Sequence, residues 1–442
     1  MEFPTQETPL FFIMRTIFYN ATIITQNYQK KIIPIGFVII KESQIEKVKS
    51  GYPSTKEFDN CQNKIDCTNK IIMPGLINTH VHLGESIFGF FIKDKISLKN
   101  YLDFTDKVCI LNPSLEQKRS VVSDYSMMLL IKNGASTICG GRTANECKNW
   151  HVRNVSGYII MHSPKLIHYY SNIMNKFSLE KRKETDMNTT AIFIHSLNRI
   201  NHNKLKEISK IVKQYPRIKL IIHIMETKQS ENEIIKKYKM TSIEILQKNN
   251  LLNKNTILVH CNWANNEELK IIKKSGASIV HCLSSNLNCA DKTLNLSEAL
   301  KIGINTTIAT DGFATNKNQN LILEAKACFT YHKLSKSKNI TFQKLLDMVT
   351  TNAAKALGLE KQIGSIEPGK KADILFIEQK KLTENKNCVI KNLFLYHQPK
   401  MINDLMINGK MILHNKKIII NKSEKNIYYK IKKLANKIIL PS

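Results

Sequence analysis

Two histidines separated by one residue, His80 and His82, close a short apolar run that begins at Ile71 and passes through Pro74-Gly75. On an extended strand, residues two apart project to the same side, so the pair can present two imidazole nitrogens to one metal ion. The arrangement recurs. His223 in Ile-His-Ile-Met-Glu, His260 in Leu-Val-His-Cys, His281 in Ile-Val-His-Cys and Asp311 in Ile-Ala-Thr-Asp-Gly each end another apolar run. One such residue reads equally well as a polar strand terminus. Several at the ends of separate strands are what a catalytic barrel gathers at its C-terminal face.

His80, His82, His223 and Asp311 offer three imidazoles and a carboxylate, a nitrogen and oxygen set suited to zinc, with iron(II) or manganese as alternatives. With one position left for water the set is catalytic, and the metal's task is to bring the pKa of that water down toward neutrality. Glu226, three residues after His223, is placed to move a proton from the water to a leaving group. Its competing reading is a carboxylate stabilised at a helix N-terminus. His260 reads as a second proton handler or an orienter of the water, against a satisfied core histidine. Asp311 both ligates and accepts a proton. His195, His281 and Arg142 are candidate substrate contacts, and for Arg142 a surface position is the alternative.

Positioning these residues requires alternating strands and helices. Eight short apolar runs, at 71–82, 135–141, 155–163, 190–196, 219–226, 256–262, 277–283 and 305–311, carry the residues above. Between many of them lie stretches of helical period, at 114–132, 204–215, 231–249 and 267–275, and two more helices are expected at 320–333 and 341–357. The third run and the stretch 142–188 have the weakest helix signals, as expected of an insertion over an active site. Strand-like runs at 16–24, 32–40 and 45–49 precede the first histidines. Runs at 372–377, 401–407 and 410–420, with Asn408-Gly409 as a turn, follow the last strand. A final helix is expected at 424–440, with Ile427, Ile431, Leu434 and Ile438 on one face. The expectation is an α/β protein: a distorted (β/α)8 TIM barrel at 71–362, and a small β-sandwich domain assembled from both chain ends, 1–70 and 363–442.

Composition narrows the functional classes. The chain has 442 residues, 42% of them hydrophobic, which is ample for a core. Its formal charge of +30 comes from lysines spread along the whole length, with no arginine-rich block or aromatic-and-basic stripe, so a solvated surface is the reading and no nucleic-acid partner is expected. The ten cysteines form no Cys-x-x-Cys pair and read as free thiols of a reducing compartment. No signal-peptide pattern and no membrane-length apolar run is apparent, so a cytoplasmic protein with a small-molecule substrate and no membrane partner is expected.

The run Pro-Gly-Leu-Ile-Asn-Thr-His-Val-His, then His223-x-x-Glu226, Val259-His260-Cys261, His281-Cys282-Leu283-Ser284-Ser285-Asn286-Leu287 and Thr310-Asp311-Gly312-Phe313, resembles the amidohydrolase superfamily. Within it, the branch is that of the adenosine-type, methylthioadenosine/S-adenosylhomocysteine and guanine deaminases and the triazine hydrolases. The stretch from Ile363 through Pro368-Gly369 to Asp373 resembles the family's return from barrel to β-domain. The resemblance implies one metal ion on His80, His82, His223 and Asp311, with Glu226 and His260 transferring protons. The implied reaction is hydrolytic deamination of an amino-heterocycle such as a purine nucleoside, with release of ammonia. It also implies a homo-oligomer. The chain departs from the family at His195-Ser196-Leu197-Asn198, where His-Ser-Pro-Tyr is common, and at His281-Cys282-Leu283, where His-Asn-Pro is common. These departures leave the reaction class standing and the ring open.

An alternative keeps the barrel and metal but expels chloride, thiolate or an alkylamine from a triazine-like ring. Glu226 favours an amine, which needs a proton to leave, whereas chloride does not. A non-catalytic binding barrel would be marked by a missing ligand or acid/base residue, and none is missing. A binuclear site bridged by a carbamate would need a lysine that 190–196 does not offer.

Overall fold

The structure is a computed structural model that describes residues 15–92, 95–160, 177–178, 181, 184–334, 339–378 and 388–441. The end of the third run, 161–163, lies outside them.

Five strands come first: β1 (Arg15–Ile24), β2 (Ile32–Lys41), β3 (Gln44–Ser50), β4 (Asn63–Asp66) and β5 (Lys70–Pro74). The parallel sheet follows as β6 (Leu76–His82), β7 (Ala135–Gly141), β8 (Arg153–Ile160), β9 (Asn188–Ile194), β10 (Lys219–Ile224), β11 (Thr256–His260), β12 (Ser278–His281), β13 (Asn305–Ile308) and β14 (Asp311–Gly312). The chain returns through β15 (Ile374–Glu378), β16 (Ile402–Ile407), β17 (Lys410–His414) and β18 (Lys417–Ile418). Strands β6 to β13 pair in chain order, and β14 pairs with β6. Thus β13 and β14 are two pieces of one eighth strand, interrupted at Ala309-Thr310, and the second piece closes the barrel on the first strand.

Residues two apart on each strand face the barrel interior, where Ile77, Val155, Phe193, Ile221, Ile257 and Val280 form a buried cluster. The opposite faces pack under the helices. Full burial of one such isoleucine stabilises the fold by about 1.5–3 kcal/mol. On β6 the alternation changes phase. Leu76 and Val81 belong to the outer layer and Ile77 to the inner one, while the register with β7 slips between Asn78 and Val81. That slip lets both His80 and His82 join Ile77 on the inner side.

The run 71–82, expected as one strand, is two. Gly75 divides it: β5 pairs with β15 in the sheet made by the chain ends, and β6 starts the barrel. A side chain at Gly75 would place Cβ 2.4 Å from Ser136 Oγ, so only glycine passes this crossing. The chain ends share a single nine-stranded sheet in the order β18-β17-β16-β15-β5-β1-β2-β3, with β4 on β1. Phe18, Ile40, Ile72 and Phe376 fill a core of their own beneath it.

Three other expected elements are broken. The helix at 231–249 is two, Lys228–Tyr238 and Ser242–Lys248, because Lys239 is left-handed (φ 56°) and Thr241 begins a new capping box with Glu244. The helix at 341–357 divides into Phe342–Met348 and Thr351–Leu357 around Val349-Thr350. The run 410–420 turns back at Asn415-Lys416, both at positive φ, as a tight hairpin. The last helix, Glu424–Ala435, buries Ile427, Ile431 and Leu434. Among the described residues no helix is long and apolar enough to cross a membrane.

Barrel and end-sheet are joined by a buried ion pair. Arg153, the first residue of β8, donates from Nε to Asp373 Oδ2 at 2.8 Å and from Nη2 to Oδ1 at 3.1 Å, and both side chains are under 3% exposed. Arg153→Met leaves Asp373 charged and unpaired. The expected loss is about 3–5 kcal/mol of stability, read by urea denaturation, with Arg153→Met/Asp373→Asn recovering most of it. A loss below about 1 kcal/mol would show that the pair does not join the two parts.

Candidate active site

The strand ends that carry chemistry are kinked. Met225, His260, Cys261 and Asp311 all have positive φ, between 51° and 78°, which turns the chain sharply at the exits of β10, β11 and β13. Such conformations in non-glycine residues cost of order 1–3 kcal/mol each and gather at functional sites.

Four donor atoms converge there. His80 Nε2 and His82 Nε2 each lie 3.2 Å from Asp311 Oδ1, and His223 Nε2 lies 3.1 Å from His80 Nε2. The ring proton of His223 is assignable from its outer partner. His223 Nδ1 is 2.8 Å from the His195 carbonyl oxygen, which can only accept, so Nδ1 carries hydrogen and Nε2 presents a lone pair. His82 Nδ1 faces Glu85 Oε1 at 3.2 Å. Tyr101 Oη donates to the other Glu85 oxygen at 2.6 Å. His80 Nδ1 has no hydrogen-bond partner among the described residues. Three imidazole nitrogens and a carboxylate oxygen thus crowd together at 3.1–3.2 Å, with a lone pair of His223 among them, an arrangement that a cation between them stabilises. The donor set therefore fits a metal ion.

The buried groups also act on one another. Burial opposes charge on His82, but Glu85 and Asp311 outweigh it and hold the ring up at about 9. Burial brings His80 down to about 4, against the pull of Asp311. Asp311 stays well below the usual carboxylate range despite its burial, because His80 and His82 face it. Glu226 moves the other way: burial first, then the neighbouring Asp311, raise its carboxyl to about 8.

Glu226 Oε1 stands 3.7 Å from His260 Nε2. His260 Nδ1 is 2.9 Å from Asn286 Oδ1, which leaves Nε2 facing the site, and burial lowers its pKa. Cys282 Sγ lies within 4.8 Å of donor atoms of His260 and Asp311, and burial holds its thiol well above its ordinary pKa.

Outside these residues opens a cavity of about 680 Å³, with His195, His223, Met225, Glu226, Leu102 and Cys289 in its wall. His195 lines it, and its carbonyl oxygen accepts from His223 Nδ1. Arg142 and His281, expected as substrate contacts, are not in this wall. Arg142 Nη2 bonds Glu116 Oε1 at 2.5 Å, and His281 is fully buried with its Nε2 3.5 Å from His332 Nε2. Sequence reasoning assigned no role to Glu85, Tyr101 or Asn286. The spacing His82-x-x-Glu85 was a usable signal for the first, while Tyr101 lies on a helix, Leu98–Leu111, that was not anticipated.

The profile of the amidohydrolase family matches residues 71–412. The chain belongs to the amidohydrolase family. Among curated amidohydrolase relatives, the 5′-deoxyadenosine deaminase of Methanosphaera stadtmanae is 28% identical over 435 residues, covering 92% of this chain and 96% of its own. The 5-methylthioadenosine/S-adenosylhomocysteine deaminase of Clostridium tetani is 25% identical, covering 90% and 94%. Among solved structures, a zinc-bound adenosine deaminase from Xanthomonas campestris superimposes with a TM-score of 0.86 at 19% identity, covering 96% of this chain and 98% of its own. The zinc-bound atrazine chlorohydrolase of Arthrobacter aurescens reaches 0.83 at 17% identity, covering 95% and 100%. Two activities thus share this amidohydrolase fold.

Proposed function

We propose that this chain is a zinc-dependent hydrolytic deaminase of an adenosine derivative modified at the 5′ position. The observation that carries the reading is the convergence of His80, His82, His223 and Asp311 beside a buried, protonatable Glu226. The substrate class is supported by the named activities of relatives that match this chain over nine-tenths of its length.

His80, His82, His223 and Asp311 would hold the ion. A divalent cation so held supplies Lewis acidity that makes a water nucleophilic near neutral pH. His260, neutral and anchored by Asn286, orients that water from its Nε2 side. Water adds through oxygen to the amino-bearing ring carbon and gives up two protons. One goes through Glu226 to the ring nitrogen and the other reaches the amino group, which leaves as ammonia while the ring carbon becomes a carbonyl. An amine must be protonated to depart and chloride need not be, so a buried, protonatable carboxyl at Glu226 favours an amine leaving group.

The test is ammonia release by zinc-loaded protein from 5′-deoxyadenosine, methylthioadenosine, S-adenosylhomocysteine, adenosine, guanine and an amino-triazine. The expected order puts a 5′-modified adenosine first. Ammonia release from the triazine alone would overturn the adenosine substrate class, and no ammonia from any of them would overturn the deaminase reading.

A further inference from the structure

The barrel has a second concavity at the end opposite the histidines. It measures about 1080 Å³ and is bounded by the first residues of β10, β12 and β13, Lys219, Ser278 and Asn305, and by the helix ends around them. Six cations line it: Arg217, Lys219, Lys254, Lys273, Lys344 and Lys355. It also has two carboxylates, Asp347 and Glu360. Asp347 is occupied elsewhere, with Oδ1 2.8 Å from Lys30 Nζ and accepting from Gln26 and Gln343. The balance within the cavity is strongly positive.

Helix dipoles explain part of this. Lys273 and Lys355 stand in the last turns of Asn266–Ser275 and Thr351–Leu357, where a cation is favoured. They do not explain Lys344, which stands in the first turn of Phe342–Met348, or Lys219, Lys254 and Arg217, which are not on helices. Lys219 is the most telling. It is 7% exposed, and among the described residues its ammonium has one hydrogen-bond partner, the neutral Asn255 Oδ1 at 3.2 Å. An ammonium has three donors, and burying one without an anion is costly. Burial lowers its pKa, with Glu360 opposing. Among the described residues no aromatic ring lines the cavity, so bases have no platform to stack on. A concave, multiply cationic pocket without stacking surface suits the oxygens of a multiply charged anion such as a phosphate chain.

We propose that this cavity at the N-terminal end of the barrel binds a linear phosphate chain, as found in inorganic tripolyphosphate or the triphosphate of a nucleotide. Its oxygens lie between Lys219 at the floor and Lys254 and Lys355 at the rim. The site is independent of the deaminase reading, being built from other residues at the other end of the strands.

The test is calorimetric titration of the metal-loaded protein with tripolyphosphate, ATP and adenosine at low salt, with metal content followed because phosphate chains chelate divalent ions. Saturable tripolyphosphate binding that weakens with added salt is expected. Lys254 and Lys355 are exposed, so Lys254→Glu/Lys355→Glu should fold and bind at least roughly tenfold more weakly per cation removed. Lys219→Met, which keeps the stem, should weaken binding similarly. ATP and tripolyphosphate binding alike while adenosine leaves the site untouched would show that only the chain is read. A large preference for ATP would make the nucleotide the source, and a large preference for tripolyphosphate the inorganic chain. No saturable binding to the wild type, unchanged affinity in the lysine variants, or displacement of tripolyphosphate by a far tighter single-stranded RNA would each overturn the proposal.

Discussion

Glu226→Gln is expected to lower kcat/KM for the deaminated substrate by about 10²- to 10⁴-fold, the usual worth of a positioned general acid/base. The metal content should stay unchanged, because Glu226 is not among the four converging donors. The loss should fall on kcat more than on KM, since the proton is needed in the transition state. A second readout separates a lost proton from a lost fold. Burial raises the Glu226 carboxyl from 4.5 to about 8, so in metal-free protein the native state holds a proton that the unfolded chain releases. That contribution to stability is complete below 4.5 and disappears as the pH rises through about 8. Glutamine does not titrate. In metal-free protein the variant should therefore gain on the wild type as the pH is raised from 5 to 9, about. A variant that is inactive and also less stable at the alkaline end would mean that Glu226 is held as a structural carboxylate.

His223→Ala is expected to have the larger effect. It removes an imidazole ligand whose ring proton is fixed by the His195 carbonyl oxygen. Unassisted water has a pKa of 15.7, against about 7 when activated, so an enzyme that loses its ion loses most of its available nucleophile. Metal content should fall close to zero and ammonia release to background. The contrast is His195→Ala. The ring of His195 has no partner at Nδ1 among the described residues, and what His223 uses is its backbone carbonyl. That variant should keep its metal and change KM instead. Retention of metal by His223→Ala, or its loss from His195→Ala, would mean that the donor set is drawn wrongly.

The site was legible where chemistry coincided with strand ends, because a polar residue closing an apolar run must lie at a barrel mouth. His80, His82, His223, Glu226, His260 and Asp311 meet for that reason. Arg142 and His281 carry the same signal but are led away by their partners, Glu116 across the surface and His332 in the packing layer. Those partners are distant in sequence. Gly75 was invisible as a boundary because the apolar run continues through it, and the residue that requires a glycine there, Ser136, is distant in sequence. The break before Ser242 was readable, since Thr241-x-x-Glu244 is a capping signature inside an otherwise helical period. Tyr101, Glu85 and Asn286 act on histidines through space, and only Glu85 had a local spacing to reveal it.

The central claim is that one ion, held by His80, His82, His223 and Asp311, is required for release of ammonia. The most direct measurement is titration of metal-stripped protein with zinc while ammonia release from methylthioadenosine or 5′-deoxyadenosine is followed. The account predicts no release at the start and a rise that levels off at about one equivalent per chain. Release that is independent of zinc, or that continues to rise toward about two equivalents, would contradict it.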